Sequence, residues 1–300
     1  MKEIDFKLPK LEDKKLIESY FKQYPTRSCE RTFANVYLWC RYYQVDYAEI
    51  EHTLVFRSLD DHLAFSYPAG DPENVKHAIE FLRGYSEERG EKFCIYSVVQ
   101  EQFEQLEKWF PGQYQIEYDR DQSDYIYESE KLITLSGKKL HGKRNHINKF
   151  KSMNKEWSYE KLSDDNVEEC FEMAMEWKNR QISEGEEQKN AEMTVTMNAL
   201  RMYKELDLTG GVLRAEGKVI AFTLGEEICK DTFVIHIEKA FAEIQGAYPM
   251  INQQFVEHEC PGYPYINREE DTGEEGLRKA KLSYRPVFFV EKGYVTCKEE

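Results

Sequence analysis

The chain lacks any apolar run approaching the roughly 18 to 20 residues of a membrane span, and its opening stretch, "MKEIDFKLPKLEDKK", has no apolar core of a secretory leader. Both absences predict a cytoplasmic protein with no transmembrane segment. Cysteine is sparse and scattered: seven residues, at 29, 40, 94, 170, 229, 260 and 297, with no C-x-x-C pair. That spacing argues against both a disulfide framework and a zinc site, and predicts reduced thiols, mostly in the core. The seven histidines include no H-E-x-x-H, so no metal site is expected, and neither a G-x-S-x-G elbow nor a P-loop occurs. Positive charge is also short. Against 56 Asp and Glu there are 41 Lys and Arg, a formal charge of -15, and most of such a surface repels a phosphate backbone.

What is present is a globular composition, 41% hydrophobic and 14% aromatic, too apolar for a disordered chain. Three hundred residues predict two domains. One segment breaks the acidity. From Lys131 to Lys155 there are eight Lys or Arg residues and no Asp or Glu, so removing them from the total leaves -23 on the rest.

The periodicity predicts mixed elements. In the first half, helices around Leu16–Phe21 and over "RTFANVYLWCRYY" precede two β-type runs hinged at Asp60-Asp61, a helix from Pro72, the strand "FCIYSVV", a helix ending at Pro111-Gly112, and the strand-like run "YQIEYDRDQSDYIYE". The second half repeats this order: strand, two helices, a hairpin around Glu216-Gly217, the strand "TFVIHIEKAF", a helix after Pro249, then "YPYINREE", a charged helix and a last strand. The predicted division is 1–130, a basic linker helix at 131–155, and 156–300.

Three stretches invite chemistry. In "TFVIHIEKA", Thr232, Val234, His236 and Glu238 share one strand face and the apolar Phe233, Ile235 and Ile237 the other. His236 and Glu238 form a candidate proton-transfer pair; the plainer alternative has them paired with neighbours under a helix layer. The turn Gly246-Ala247-Tyr248 feeds a helix with an early proline, Pro249, so its amides offer an anion site at a helix start, or simply a tight turn. Arg268, Glu269, Glu270 and Asp271 leave a strand ahead of Arg278, Lys279 and Lys281: carboxylates for an ammonium, cations for a carboxylate or phosphate, or a solvated charged loop. For the basic segment, a helix would bury Leu140, Ile147 and Phe150. Lys143, Arg144 and Lys149 would then contact a polyanion, touch a donor, or pair internally with acidic faces, and the -23 around them favours internal pairing.

The strings "GKKLHGKRNHINKF", "GAYPMINQQF" and "INREEDTGEEGLRKAKLSYRPVF" resemble a bacterial family grouped with the C-terminal domain of phosphatidylglycerol lysyltransferases, and the element order is similar to GNAT acyltransferases in the tandem arrangement of Fem-type peptidyltransferases. The resemblance implies an α+β fold of two tandem GNAT-like units, each a mixed, mostly antiparallel sheet flanked by helices. It implies acyl or aminoacyl transfer to an amine or hydroxyl, with aminoacyl-tRNA favoured as donor over acyl-CoA and no permanently bound cofactor. Glu238 or His236 would be the base, Gly246, Ala247 and Tyr248 would hold a donor phosphate or oxyanion, and Arg268, Glu269, Asp271, Lys279 and Lys281 would select the substrate. The implied partners are tRNA on the basic segment, and a small amine, amino acid or anionic lipid headgroup as acceptor. The alternatives are an acyl-CoA-dependent N-acetyltransferase and a noncatalytic binding module of the same fold.

Overall fold

The computed structural model describes residues 4–59, 62–181 and 187–298. The chain divides into two compact units, Met1–Asp124 with Val290–Glu300, and Tyr125–Phe289. Among the described residues no helix is long and apolar enough to cross a membrane.

The first unit contains α1 (Lys14–Gln23), α2 (Phe33–Trp39), β1 (Val45–Ile50), β2 (Thr53–Ser58), β3 (Ala64–Ser66), α3 (Pro72–Glu87), β4 (Cys94–Val99), α4 (Gln100–Trp109) and most of β5 (Tyr114–Glu128). Asp71 starts α3 by accepting a hydrogen bond from the Glu73 amide, with Pro72 in the first turn where its missing N–H costs nothing. The helix then buries Val75, Ala78, Ile79 and Leu82 in the unit's core. As the crossover of a βαβ step it makes β3 and β4 parallel neighbours. The expected hairpin appears as the antiparallel β2–β3 pair, Arg57 opposite Phe65; its turn at Asp60-Asp61 lies outside the described residues. A polar knot sits inside this unit. Lys292 is fully buried, its ammonium 2.9 Å from Asp124 and 2.8 Å from Glu30, and Asp124 also accepts the Cys29 amide at 2.9 Å.

The second unit contains α5 (Ser129–Thr134), α6 (His141–Met153), β6 (Trp157–Lys161), α7 (Val167–Gln181), α8 (Glu187–Arg201), β7 (Thr209–Ala215), β8 (Lys218–Cys229), β9 (Thr232–Ala240), α9 (Ala247–Glu259), β10 (Tyr265–Asn267) and α10 (Glu275–Leu282). Its strands run in the order β5, β10, β9, β8, β7, β6, antiparallel except for β9–β10, which α9 connects as a second βαβ step. Each unit thus carries a mixed, mostly antiparallel sheet with flanking helices, as expected. The β7–β8 turn uses Glu216 and Gly217, both at positive φ (50° and 75°), the twist that tight hairpins favour.

Two boundaries differ from the sequence reading. The basic helix α6 belongs to the second unit, burying Ile147 and Phe150 against α9. The last strand, β11 (Phe288–Cys297), runs antiparallel to β4, with Lys292 opposite Val99, so its residues from Val290 onward complete the first unit. Strand pairing across nearly two hundred residues leaves no local trace in sequence.

Candidate active site

The face of β9 predicted to carry polar groups does so: His236 and Glu238 are partly buried, while Phe233, Ile235 and Ile237 are in the core. The two do not pair with each other. Glu238 has one carboxylate oxygen 2.9 Å from Nη2 of Arg268, just past β10, and the other accepts from the Asn252 side chain on α9 at 2.8 Å. The Arg268 guanidinium lies 4.7 Å from the centre of the Tyr284 ring and 5.6 Å from that of Tyr127. Lys143 of α6 reaches the same place, its ammonium 4.0 Å from the Tyr284 ring centre. Burial pushes Lys143 down to about 8, with Arg268 adding to the fall and Glu238 opposing it. Two buried atoms of this cluster have no hydrogen-bond partner, Nη1 of Arg268 and Oδ1 of Asn252. Leaving such groups unmet costs on the order of 1 to 3 kcal/mol each.

His236 is clamped instead between two other carboxylates, Glu269 on Nδ1 at 2.7 Å and Glu226 on Nε2 at 3.0 Å. Burial alone would lower its pKa, but the two acceptors raise it to about 10. At neutral pH the ring is an imidazolium donating from both nitrogens, with no lone pair left to accept a proton. The expectation that His236 serves as base meets a geometry that denies it one. Glu226 comes into reach through an irregularity in the β8–β9 ladder at Gly225, where a Cβ would stand 2.1 Å from the Val234 carbonyl oxygen.

The segment after β10 is a braced loop, not a solvated charge run. Asp271 is wholly buried, holding Arg278 through two bonds of 2.9 and 2.6 Å and accepting from the Gly273 amide and the Tyr125 hydroxyl. Burial would raise its pKa, yet Arg278 and Tyr125 lower it to about 2. Lys281 donates to the carbonyls of Arg268 (2.7 Å), Glu269 (3.3 Å) and Glu270, fixing Glu269 at a left-handed φ of 56°. Of the five residues expected to select substrate, Arg268 lies in the cluster, Glu269 holds His236, Asp271 and Lys281 brace the loop, and Lys279 is paired at the surface with Glu275.

The Gly246-Ala247-Tyr248 turn is a packing junction. A Cβ on Gly246, whose φ is 88°, would fall 2.3 Å from the His146 carbonyl oxygen of α6. The Ala247 amide donates to Ile244 and that of Met250 to Gly246, while Pro249 has none. Of the three residues expected to cradle a donor phosphate or oxyanion, Ala247 thus has its amide committed within the turn. Tyr248 is mostly buried, which raises its hydroxyl pKa.

The basic segment divides its labour. Arg144 donates to the carbonyls of Leu135 and Gly137, tying down the end of α5, and Lys143 turns into the cluster. Lys138, Lys139, Lys149, Lys151 and Lys155 are exposed. Among the described residues none of the eight cations forms an ion pair with a carboxylate, which corrects the expectation of internal pairing. Sequence reasoning missed Asn252, Tyr127, Tyr284 and Glu226. Only Asn252 left a signal, a polar residue inside the apolar pattern of Met250, Ile251, Phe255 and Val256.

Comparison with known proteins shows the family and the fold. The family model described as phosphatidylglycerol lysyltransferase, C-terminal, matches residues 21–296. A conserved protein of unknown function from Bacteroides thetaiotaomicron is 36% identical, with TM-score 0.89 over 99% of this chain and 100% of that one. L-PGS from Bacillus licheniformis, 17% identical, shares the fold at TM-score 0.67 over 100% of this chain and 95% of that one, and FemX, 8% identical, at 0.60 over 97% and 96%. An uncharacterized protein of Mycoplasmoides gallisepticum is 23% identical over 189 residues, 62% of this chain and 60% of that relative, so the match spans less than two thirds of its length. On this evidence the chain belongs to the family of phosphatidylglycerol lysyltransferase C-terminal domains.

Proposed function

We propose that the second unit is the centre of a transferase moving an acyl or aminoacyl group, with aminoacyl-tRNA as donor, onto an amine or hydroxyl. The observation that carries this reading is the buried cluster of Glu238, Arg268, Asn252 and Lys143 in a chain of this family. Transfer from an ester requires that the attacking group lose a proton while the departing ribose oxygen gains one. Glu238 is the group for the first task, its two oxygens oriented by Arg268 and Asn252. The unmet Oδ1 of Asn252 offers an acceptor beside it for the N–H or O–H of the incoming group. In this reading His236 is a positioning residue that holds Glu226 and Glu269, and through Glu269 the segment that delivers Arg268.

The exposed lysines of the basic segment supply the surface for a tRNA backbone, in place of the earlier trio of Lys143, Arg144 and Lys149, two of which face inward. The test is loss of labelled aminoacyl groups from bulk aminoacyl-tRNA in the presence of an amine pool, with acetyl-CoA as competitor. Salt-sensitive turnover is expected, abolished by Glu238→Gln and weakened by charge reversal at Lys138, Lys139 and Lys149. Turnover of acetyl-CoA instead would reassign the donor, and no turnover with either would refute the reading.

A further inference from the structure

A strand at the edge of a sheet carries a row of backbone N–H and C=O groups with no ladder to join, and proteins blunt such edges with charges, bulges or a covering segment. In the first unit the outer strand β1 is covered: Lys7 and Tyr47 exchange amide-to-carbonyl bonds of 2.8 Å in both directions. In the second unit the outer strand is β6, which among the described residues pairs only with β7. The Glu216 amide donates to the Glu156 carbonyl and the Leu162 amide to the Gly210 carbonyl. An antiparallel ladder alternates, so Trp157, Tyr159 and Lys161 turn their backbone groups away from β7. Among the described residues only one of these groups is met, the Lys161 carbonyl, by the Asn166 side chain at 3.0 Å, and that oxygen keeps a second lone pair. Neither a bulge nor a proline interrupts the stretch. Just ahead of it Met153 is 63% exposed, more than any other large apolar side chain among the described residues.

We propose that β6 is the docking edge for β6 of a second copy of this chain, the two strands pairing antiparallel with Tyr159 on the two-fold axis. An isologous contact must be complementary to itself, and this strand is. With Tyr159 opposite its own counterpart, Trp157 falls opposite Lys161 of the second copy. The outward groups of Trp157, Tyr159 and Lys161 are then all used, with two hydrogen bonds to each facing pair. The side chains agree with that register. Trp157, Tyr159 and Lys161 share the face toward α6 and α9: the Lys151 ammonium lies 5.3 Å from the Trp157 ring centre, Tyr159 stacks on His258 at 5.0 Å, and Lys161 is 3.2 Å from Glu259. Pairing sets a lysine across from each tryptophan on that face, a favourable match of cation and ring. The other face sets the exposed Ser158 across from Glu160, whose carboxylate Arg214 holds at 2.8 Å, so no like charges stand directly opposite. The axis runs normal to the sheet and keeps both copies of α6 on one side of it. Such a dimer forms whatever the second unit catalyses.

The experiment is sedimentation velocity of the full chain from about 1 μM to about 1 mM, the range of weak association through a small interface. Salt of about 0.15 M screens the general repulsion between two chains of charge -15 while leaving side chains that touch. A concentration-dependent dimer is expected, and a monomer throughout would overturn the edge pairing. Ser158 reads the register, because it is exposed and its replacement disturbs no core. Ser158→Glu sets a like charge opposite Glu160 at two symmetric places and should weaken the dimer by about 2- to 30-fold, while Ser158→Lys should tighten it by a similar factor. Equal dissociation constants for the native protein and both variants would overturn the register. Hydrogen exchange at low and high concentration adds a direct readout: the amides of Trp157, Tyr159 and Lys161 should slow as the dimer forms. A dimer in which those amides still exchange as fast as in the monomer would place the contact elsewhere and overturn the docking edge.

Discussion

Replacing His236 by Asn leaves Glu226 and Glu269 facing each other across the site of a lost cation. The magnitude follows from the clamp. His236 is held at about 10 against an ordinary 6.5, an interval worth about 4 to 5 kcal/mol at roughly 1.4 kcal/mol per pH unit. Water reaching the two carboxylates, 14% and 19% exposed, trims this, and about 3 to 5 kcal/mol agrees with the cost of breaking a buried pair. The sign is fixed by the direction of the shift. A raised folded-state pKa gives stability that is complete below 6.5 and lost as pH climbs through 10. Urea melts followed by far-UV circular dichroism, run on both proteins at pH 6, 8 and 9.5, should show a gap of about 3 to 5 kcal/mol at pH 6, smaller by about 2 kcal/mol at pH 8 and nearly closed at 9.5. Groups titrating alike in both proteins cancel in the difference. A gap independent of pH, or one below about 1 kcal/mol at pH 6, would refute the imidazolium clamp.

Gly246→Ala should destabilise the second unit by about 2 to 4 kcal/mol, combining a left-handed φ with a Cβ 2.3 Å from the His146 carbonyl oxygen; hydrogen exchange should quicken in α6, and an unaltered α6 would contradict the packing role. Lys292→Met should cost about 3 to 5 kcal/mol in the first unit by stranding Asp124. Adding Asp124→Asn should recover part of the loss in thermal melts, and full additivity of the two losses would count against the pairing.

Much of the architecture was readable along the chain because it rests on local patterns. The alternation of "TFVIHIEKA" placed His236 and Glu238 on one face, and Glu216-Gly217 marked its hairpin. The site was only half legible. Sequence put Arg268 and Glu238 in play, but the partner of each side chain depends on which strand lies beside which, and on an irregularity at Gly225 that turns Glu226 toward His236. The basic segment misled for a similar reason. Counting charges treats eight cations as one surface, whereas a helix packed by Ile147 and Phe150 sends Lys143 inward and its neighbours outward. The charged loop misled in the opposite way: a run that reads as solvated is held by a buried Asp271 and a lysine spent on backbone carbonyls.

The first unit is written in two pieces of chain, with the whole second unit between them. A ribosome delivers Asp124 early and Lys292 only after 167 further residues have been made, so for most of synthesis the nascent first unit holds a buried-type carboxylate still awaiting Lys292 and an uncovered edge at β4. The second unit, contiguous in sequence, has everything it needs sooner. Birth order and completion order are thus reversed: the half that begins first is finished last, and a stall or a clipped tail within the closing strand would spare the catalytic candidate while leaving its companion open.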